Sequence, residues 1–174
     1  MKEIIDAFDY AQTIIKALPQ GILLNTNGDK FNSMVIGWGH LGVIWGRETF
    51  TVYVRQSRYT KLQLDQTREY TISAPLEGGL SREVFRICGS ESGRDMDKAR
   101  AAGLTLMEAE TLHTPGIKEA PLTLECKVLY QQDQALGSMP EEMQRRFYGR
   151  GPEKGDFHTA YIGEIVNAYI IRED

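Results

Sequence analysis

A chain of 174 residues with 41% hydrophobic and 25% charged side chains can bury a full core and is not composed like a disordered protein. A single domain over 1–174 is expected, with a helical segment at 1–19 and a loop carrying a short helix at 131–157. The formal net charge of −4 argues against a nucleic-acid partner held by a general basic field.

Ile4, Phe8, Ala11, Ile15 and Leu18 recur at three- and four-residue steps, which predicts a helix packed on a body and ended by Pro19 and Gly21. Residues 21–26 read as a short apolar strand. Asn27-Gly28 is a strong hairpin signal, and 31–38 returns as the partner strand. The returning strand mixes Asn32 and Ser33 with apolar residues on both faces, as a strand lining a site would. Residues 50–55 alternate cleanly, with Phe50, Val52 and Val54 inward. Ser57 is expected to cap a helix reaching about residue 66. A strand at 69–74 stops at Pro75, a short helix covers 80–87, and a glycine-bearing loop at 88–95 leads to a helix at 96–102, with Asp95 as its expected cap. A strand is expected at 104–108.

Residues 122–130 form an amphipathic strand with Leu122, Leu124, Cys126, Val128 and Tyr130 on one face. A short helix is expected at 140–148, with Pro140 at its start. The segment 158–171 is apolar on both faces and is expected to be buried from two sides. About seven strands with three or four helices, joined by turns rather than regular helical crossovers, predict a mainly β antiparallel barrel of Greek-key type with added helices.

Three stretches carry candidate chemistry. A helix opening near Ser57 leaves unpaired N–H groups at its positive end. Arg55, Arg58 and the hydroxyls of Ser57 and Thr60 would complete an anion cage there, although a plain N-cap with surface arginines reads equally well. The loop from Gly89 to Lys98 permits close backbone approach, but it is neither a phosphate-cradling Gly-Lys-Ser/Thr loop nor a nucleophile elbow, and it also reads as structural. Asn32, Ser33, Met34 and Trp38 offer amide, hydroxyl and apolar contacts for a flat heteroaromatic ring, or simply a core strand with two polar residues. His158 opens the last strand. His40, His113 and His158 lack metal-ligand spacing, so no metal is expected. Cys88 and Cys126, without a CxxC pair, suit neither a disulfide framework nor a zinc site. The start of the chain does not read as a signal peptide, and no apolar run reaches membrane-spanning length. A cytoplasmic protein without a membrane partner is expected.

In chain order, Asn32-Ser-Met-Val-Ile-Gly-Trp-Gly39, Val54-Arg-Gln-Ser-Arg-Tyr-Thr60, Ser92-Gly-Arg-Asp-Met-Asp-Lys98, Leu124-Glu-Cys-Lys127 and His158-Thr-Ala-Tyr-Ile-Gly-Glu-Ile165 resemble the flavin reductase-like family with the FMN-binding split barrel, in its flavoredoxin-like branch. The resemblance covers about 21–171. It implies a homodimer binding one FMN per subunit near the subunit interface. Asn32, Ser33 and Met34 would border the isoalloxazine, Ile36, Gly37 and Trp38 would also be cofactor-binding, and the segment around Gly37 to Trp45 would lie close to the ring or the dimer contact. Arg55, Ser57, Arg58, Tyr59 and Thr60 would hold the phosphate end, closed over by Ser92 and Lys98. His158 matches the histidine that lies near flavin and nicotinamide in related reductases.

The expected activity is transfer of electrons from NADH, NADPH or a redox protein through FMN to an acceptor, with the protein positioning the flavin. An FMN-bearing electron carrier, a flavin store or redox sensor, and a barrel that has lost flavin remain as alternatives, because one fold serves all of them.

Overall fold

The computed structural model describes residues 1–149 and 154–172, so part of the expected 131–157 loop lies outside the described residues. Among these are ten strands and five α-helices. The strands are β1 (Lys2–Ile4), β2 (Ile22–Asn27), β3 (Phe31–Ile36), β4 (Gly39–Ile44), β5 (Arg47–Arg55), β6 (Glu69–Ala74), β7 (Leu106–Met107), β8 (Gly116–Ile117), β9 (Leu122–Asp133) and β10 (His158–Ile171). The helices are α1 (Ala11–Ala17), α2 (Tyr59–Thr67), α3 (Arg82–Ser90), α4 (Lys98–Ala102) and α5 (Glu141–Tyr148).

The main sheet has the order β3-β2-β6-β9-β10-β5-β4, with β1 added on β10 and β7–β8 apart as a small ribbon. Every pairing is antiparallel. The connection between the two edge strands fixes the shape. Laid flat, seven strands would put β3 and β4 about 29 Å apart. Yet Ile36 and Gly39 are three residues apart in sequence, a reach of about 11 Å. The sheet must therefore curl until its edges meet, giving a mainly antiparallel barrel that stays split between β3 and the strands beside β4.

Ile22, Leu24, Val52, Val54, Ile72, Leu124 and Tyr161 fill the interior, and Ile14 of α1 packs into the same cluster. Outside β2 and β3, Leu23 packs with Val84 and Cys88 of α3. Inside the barrel, a Cβ on Gly163 would sit 2.4 Å from the Tyr70 hydroxyl, which donates to the Phe50 carbonyl. Only glycine leaves room there for that cross-barrel hydrogen bond.

Several local expectations need correction. The stripe beginning at Ile4 is helical only from Phe8, as a 3-10 turn over Phe8–Tyr10 that leads into α1, because Lys2–Ile4 pairs with Tyr169–Ile171 as a strand. The helix expected to start at Ser57 is capped by Arg58 in extended conformation, and Ser57 bonds elsewhere. Asp97, not Asp95, caps α4 by accepting from Arg100 N. Tyr130 does not share the face of Cys126. Register shifts along β9–β10, one of them with Leu129 as an extra residue opposite Ile162/Gly163, turn it outward.

Candidate functional site in the split of the barrel

β3 pairs with β2 alone, so its other edge is open. Lys98 Nζ donates to the Ser33 carbonyl at 2.9 Å, which places the Ser33 backbone on that open edge. Alternation along a strand puts the Val35 N–H and C=O there as well. Two cavities of about 200 Å³ each lie along this edge and share Met34, Val35 and Arg58.

The first cavity mixes apolar and aromatic side chains with two arginines and a histidine. Met34, Val35, Ile36, Gly37 and Trp38 form one side, and Tyr53, Arg55 and His158 the other. Arg55 and His158 are cross-strand partners at the ends of β5 and β10. Trp38 leans on His158 with ring centroids 4.9 Å apart and meets Phe147 edge-on at 5.3 Å. Behind the ring, His158 Nδ1 lies 2.7 Å from the Tyr148 hydroxyl. Burial, then the Arg55 charge, lower the His158 pKa to about 4 against the opposing pull of Asp156, so the imidazole is neutral near pH 7. Arg55 donates to the Asp156 and Phe147 carbonyls at 2.8 and 3.1 Å, and its guanidinium lies 5.2 Å from the Tyr148 ring centre.

The second cavity is polar and cationic, lined by the start of α2, the loop after α3, and Lys98. The Lys98 side chain is buried, and burial holds its pKa below the ordinary lysine value. Its two hydrogen bonds go to the Ser33 and Cys88 carbonyls, and it makes no ion pair among the described residues. An ammonium has three N–H donors, so one remains for a ligand. Arg94 donates to the Ser57 carbonyl at 3.1 Å, and its guanidinium lies 5.6 Å from the Tyr59 ring centre. The loop reaches β3 at Gly93, where a Cβ would stand 2.1 Å from Asn32 Oδ1. That buried oxygen has no donor among the described residues.

The sequence-predicted residues divide between these cavities and the structure behind them. Met34, Ile36, Gly37, Trp38 and His158 come together at the first; Asn32, Met34, Ser57, Tyr59, Ser92 and Lys98 at the second, with Arg58 between. Arg55, expected beside Ser57, lies instead with His158, because it ends β5 opposite that residue. Ser33 and Thr60 line neither cavity. Ser33 Oγ donates to Asn25 Oδ1 within a buried network, and Thr60 Oγ1 accepts from Asn32 Nδ2 at 2.9 Å. Ser57 lines the second cavity, but its N–H and hydroxyl both donate to the Asp156 carboxylate.

Sequence reasoning passed over Val35, Tyr53, Arg94, Gln134, Tyr148 and Asp156. Val35 contributes backbone rather than a distinctive side chain. Arg94, inside the glycine-bearing loop, was the most readable of the six.

A family model described as "Flavin reductase like domain" matches residues 16–174. An uncharacterized protein of Archaeoglobus fulgidus is 26% identical over 145 residues, spanning 83% of this chain and 68% of its own. Among solved structures, flavoredoxin from Methanosarcina acetivorans is 25% identical over 87% of this chain and 68% of its own, with a TM-score of 0.63. Flavoredoxin of Desulfovibrio vulgaris is 24% identical over 87% and 69%, also at 0.63. An FMN-binding domain of a flavin reductases-like enzyme from Shewanella baltica is 16% identical over 98% and 77%, at 0.68. The last two likenesses speak for the fold alone, a split barrel.

Proposed function

The chain belongs to the flavin reductase-like family, and from that premise we propose that it binds FMN in the split of its barrel and passes electrons from NADH or NADPH to an acceptor. The observation that carries this reading is Lys98: a buried ammonium in no ion pair among the described residues, with Glu91 the carboxylate lining the same cavity, which adjoins an aromatic one. Burying an unpaired charge is costly, and a phosphate would both neutralise it and use its third N–H.

The residues present fit the cofactor. Lys98 and Arg58 would hold the phosphate in the second cavity, and Asn32 Oδ1 would accept from a hydroxyl of the sugar chain. The Val35 backbone edge, Met34 and Trp38 would border the ring in the first. Bound FMN supplies the electron-accepting chemistry. The protein binds and orients it, and the apolar walls of Met34, Ile36 and Trp38 limit water at the ring. His158, neutral at working pH, lies where it can hydrogen-bond a ligand without adding charge.

A second reading, an FMN electron carrier fed by a redox protein, is favoured by the likeness to the flavoredoxin from Methanosarcina acetivorans. The purified protein, reconstituted with FMN and mixed with NADH or NADPH without oxygen, separates the two. Bleaching that turns over repeatedly with an added acceptor is expected for the reductase. Bleaching only by a reduced protein would move the reading to the carrier, and absence of FMN affinity would overturn both.

A homodimer is part of the same proposal. The β4–β5 hairpin holds Val43 and Trp45 out at 66% and 60% exposure, with Trp45 6.0 Å from Tyr130, and a second copy would cover this apolar patch. Sedimentation of the wild type as a monomer at micromolar concentration would contradict it.

A further inference from the structure

Behind the first cavity, a chain of hydrogen bonds fixes the proton of His158. The Gln134 N–H donates to the His158 carbonyl at 2.9 Å, and the His158 N–H donates back to Gln134 Oε1 at 3.2 Å. A backbone N–H only donates, so the side-chain atom it meets is the amide oxygen, and the orientation of the Gln134 amide is settled. The Tyr148 hydroxyl lies 2.7 Å from the same oxygen. An amide oxygen only accepts, so the single Tyr148 proton is directed there. The tyrosine oxygen is also 2.7 Å from His158 Nδ1, and towards that nitrogen it can act only as acceptor. Nδ1 therefore carries the imidazole proton.

The groups around the ring keep it neutral. Burial opposes a second proton most, then Arg55 from β5, and to a smaller extent Arg58 from the start of α2, against Asp156 in favour. Nε2 is then left with a lone pair. It makes no hydrogen bond among the described residues, and the ring lines the first cavity.

We propose that Gln134 and Tyr148 are positioning residues that hold His158 as the Nδ1–H tautomer, so that Nε2 accepts a hydrogen bond from an N–H group of the molecule seated in the first cavity. Two sources share that chemistry: the ring N–H that a flavin gains on reduction and the carboxamide of a nicotinamide. The identity of the donor rests on the FMN reading above; the tautomer does not.

The first test uses flavin-free protein labelled with ¹⁵N-histidine, with His158 assigned by loss of its signals in His158→Gln. NMR near pH 7 is expected to show Nδ1 protonated and Nε2 bare. A wild-type His158 protonated at Nε2, or at both nitrogens, overturns the relay without any variant. In Gln134→Met, Tyr148 loses its acceptor and is expected to donate to Nδ1, moving the imidazole proton to Nε2. In Tyr148→Phe, a mixture of tautomers is expected. Retention of the wild-type tautomer in both variants overturns the relay, whereas a purely structural role predicts no such reversal.

The second test uses FMN-loaded wild type and Gln134→Met. If the flavin is the donor, the variant's preference for reduced over oxidised FMN falls about tenfold, which lowers its two-electron potential by about 30 mV. If the nicotinamide is the donor, KM for NADH or NADPH rises about tenfold at unchanged kcat. A reversed tautomer with neither change overturns the acceptor role. Failure to load FMN at all counts against the functional reading and leaves the NMR result standing.

Discussion

Moving the flavin-free protein from about pH 8 to about pH 5 protonates His158 in the unfolded chain but not in the folded one. The folded pKa is about 4 against an ordinary 6.5, lowered first by burial and next by Arg55. Because the folded value is the lower one, the unfolded state binds more protons between the two. Stability is full above about pH 6.5 and falls as the pH drops towards 4. At pH 5 the loss from this one ring is at most about 2 kcal/mol, a large share of the ~5–15 kcal/mol that holds a domain together. Urea unfolding of wild type and His158→Gln at both pH values isolates it, since the carboxylates common to both proteins cancel. The wild type is expected to lose about 2 kcal/mol more than the variant on acidification. Equal losses would refute a buried neutral His158.

Gly93→Ala sets a methyl group against Asn32 Oδ1 and is expected to destabilise the protein by about 1–3 kcal/mol in urea unfolding. In an Asn32→Ala background the same substitution should cost much less; an equal cost in both backgrounds would show that the close approach is not the cause. Asp156→Ala removes the carboxylate that accepts from the Ser57 N–H and hydroxyl, freeing both for a phosphate, and FMN affinity is expected to rise several-fold in fluorescence titration. Unchanged affinity would take Ser57 out of the phosphate site.

The sequence was most legible where period and burial agreed. The alternation of β5 and the long buried β10 lie where pattern put them. The β2–β3 hairpin lies where Asn27-Gly28 marked it, but Asn27 still pairs with Phe31, so the turn is the three residues Gly28, Asp29 and Lys30 rather than an Asn-Gly turn. β4 escaped because its glycines dilute the alternation and its hairpin turn is Trp45-Gly46, with Trp45 at φ +53 where Asn would have been the recognisable residue. At the site, the residue types in the anion-binding stretch were readable, but their destinations were not. Arg55 turns to the carbonyls of Asp156 and Phe147, Thr60 to Asn32, and Ser57 to Asp156, each a partner fixed by tertiary packing. Lys98 was identifiable as a cation near a glycine-bearing loop. That it is buried with no ion pair among the described residues depends on α3, α4 and β3 meeting, which no local pattern encodes.

A phosphate end at Lys98 is separable from the rest of the site by comparing FMN with riboflavin, since the two differ only in that phosphate. Titrated calorimetrically into flavin-free wild type, FMN should bind about 10–100-fold more tightly than riboflavin, the range expected of charge-assisted hydrogen bonds. In Lys98→Met that preference should shrink towards unity while riboflavin affinity holds. Equal affinity of the wild type for both flavins, or an undiminished preference in Lys98→Met, would contradict it.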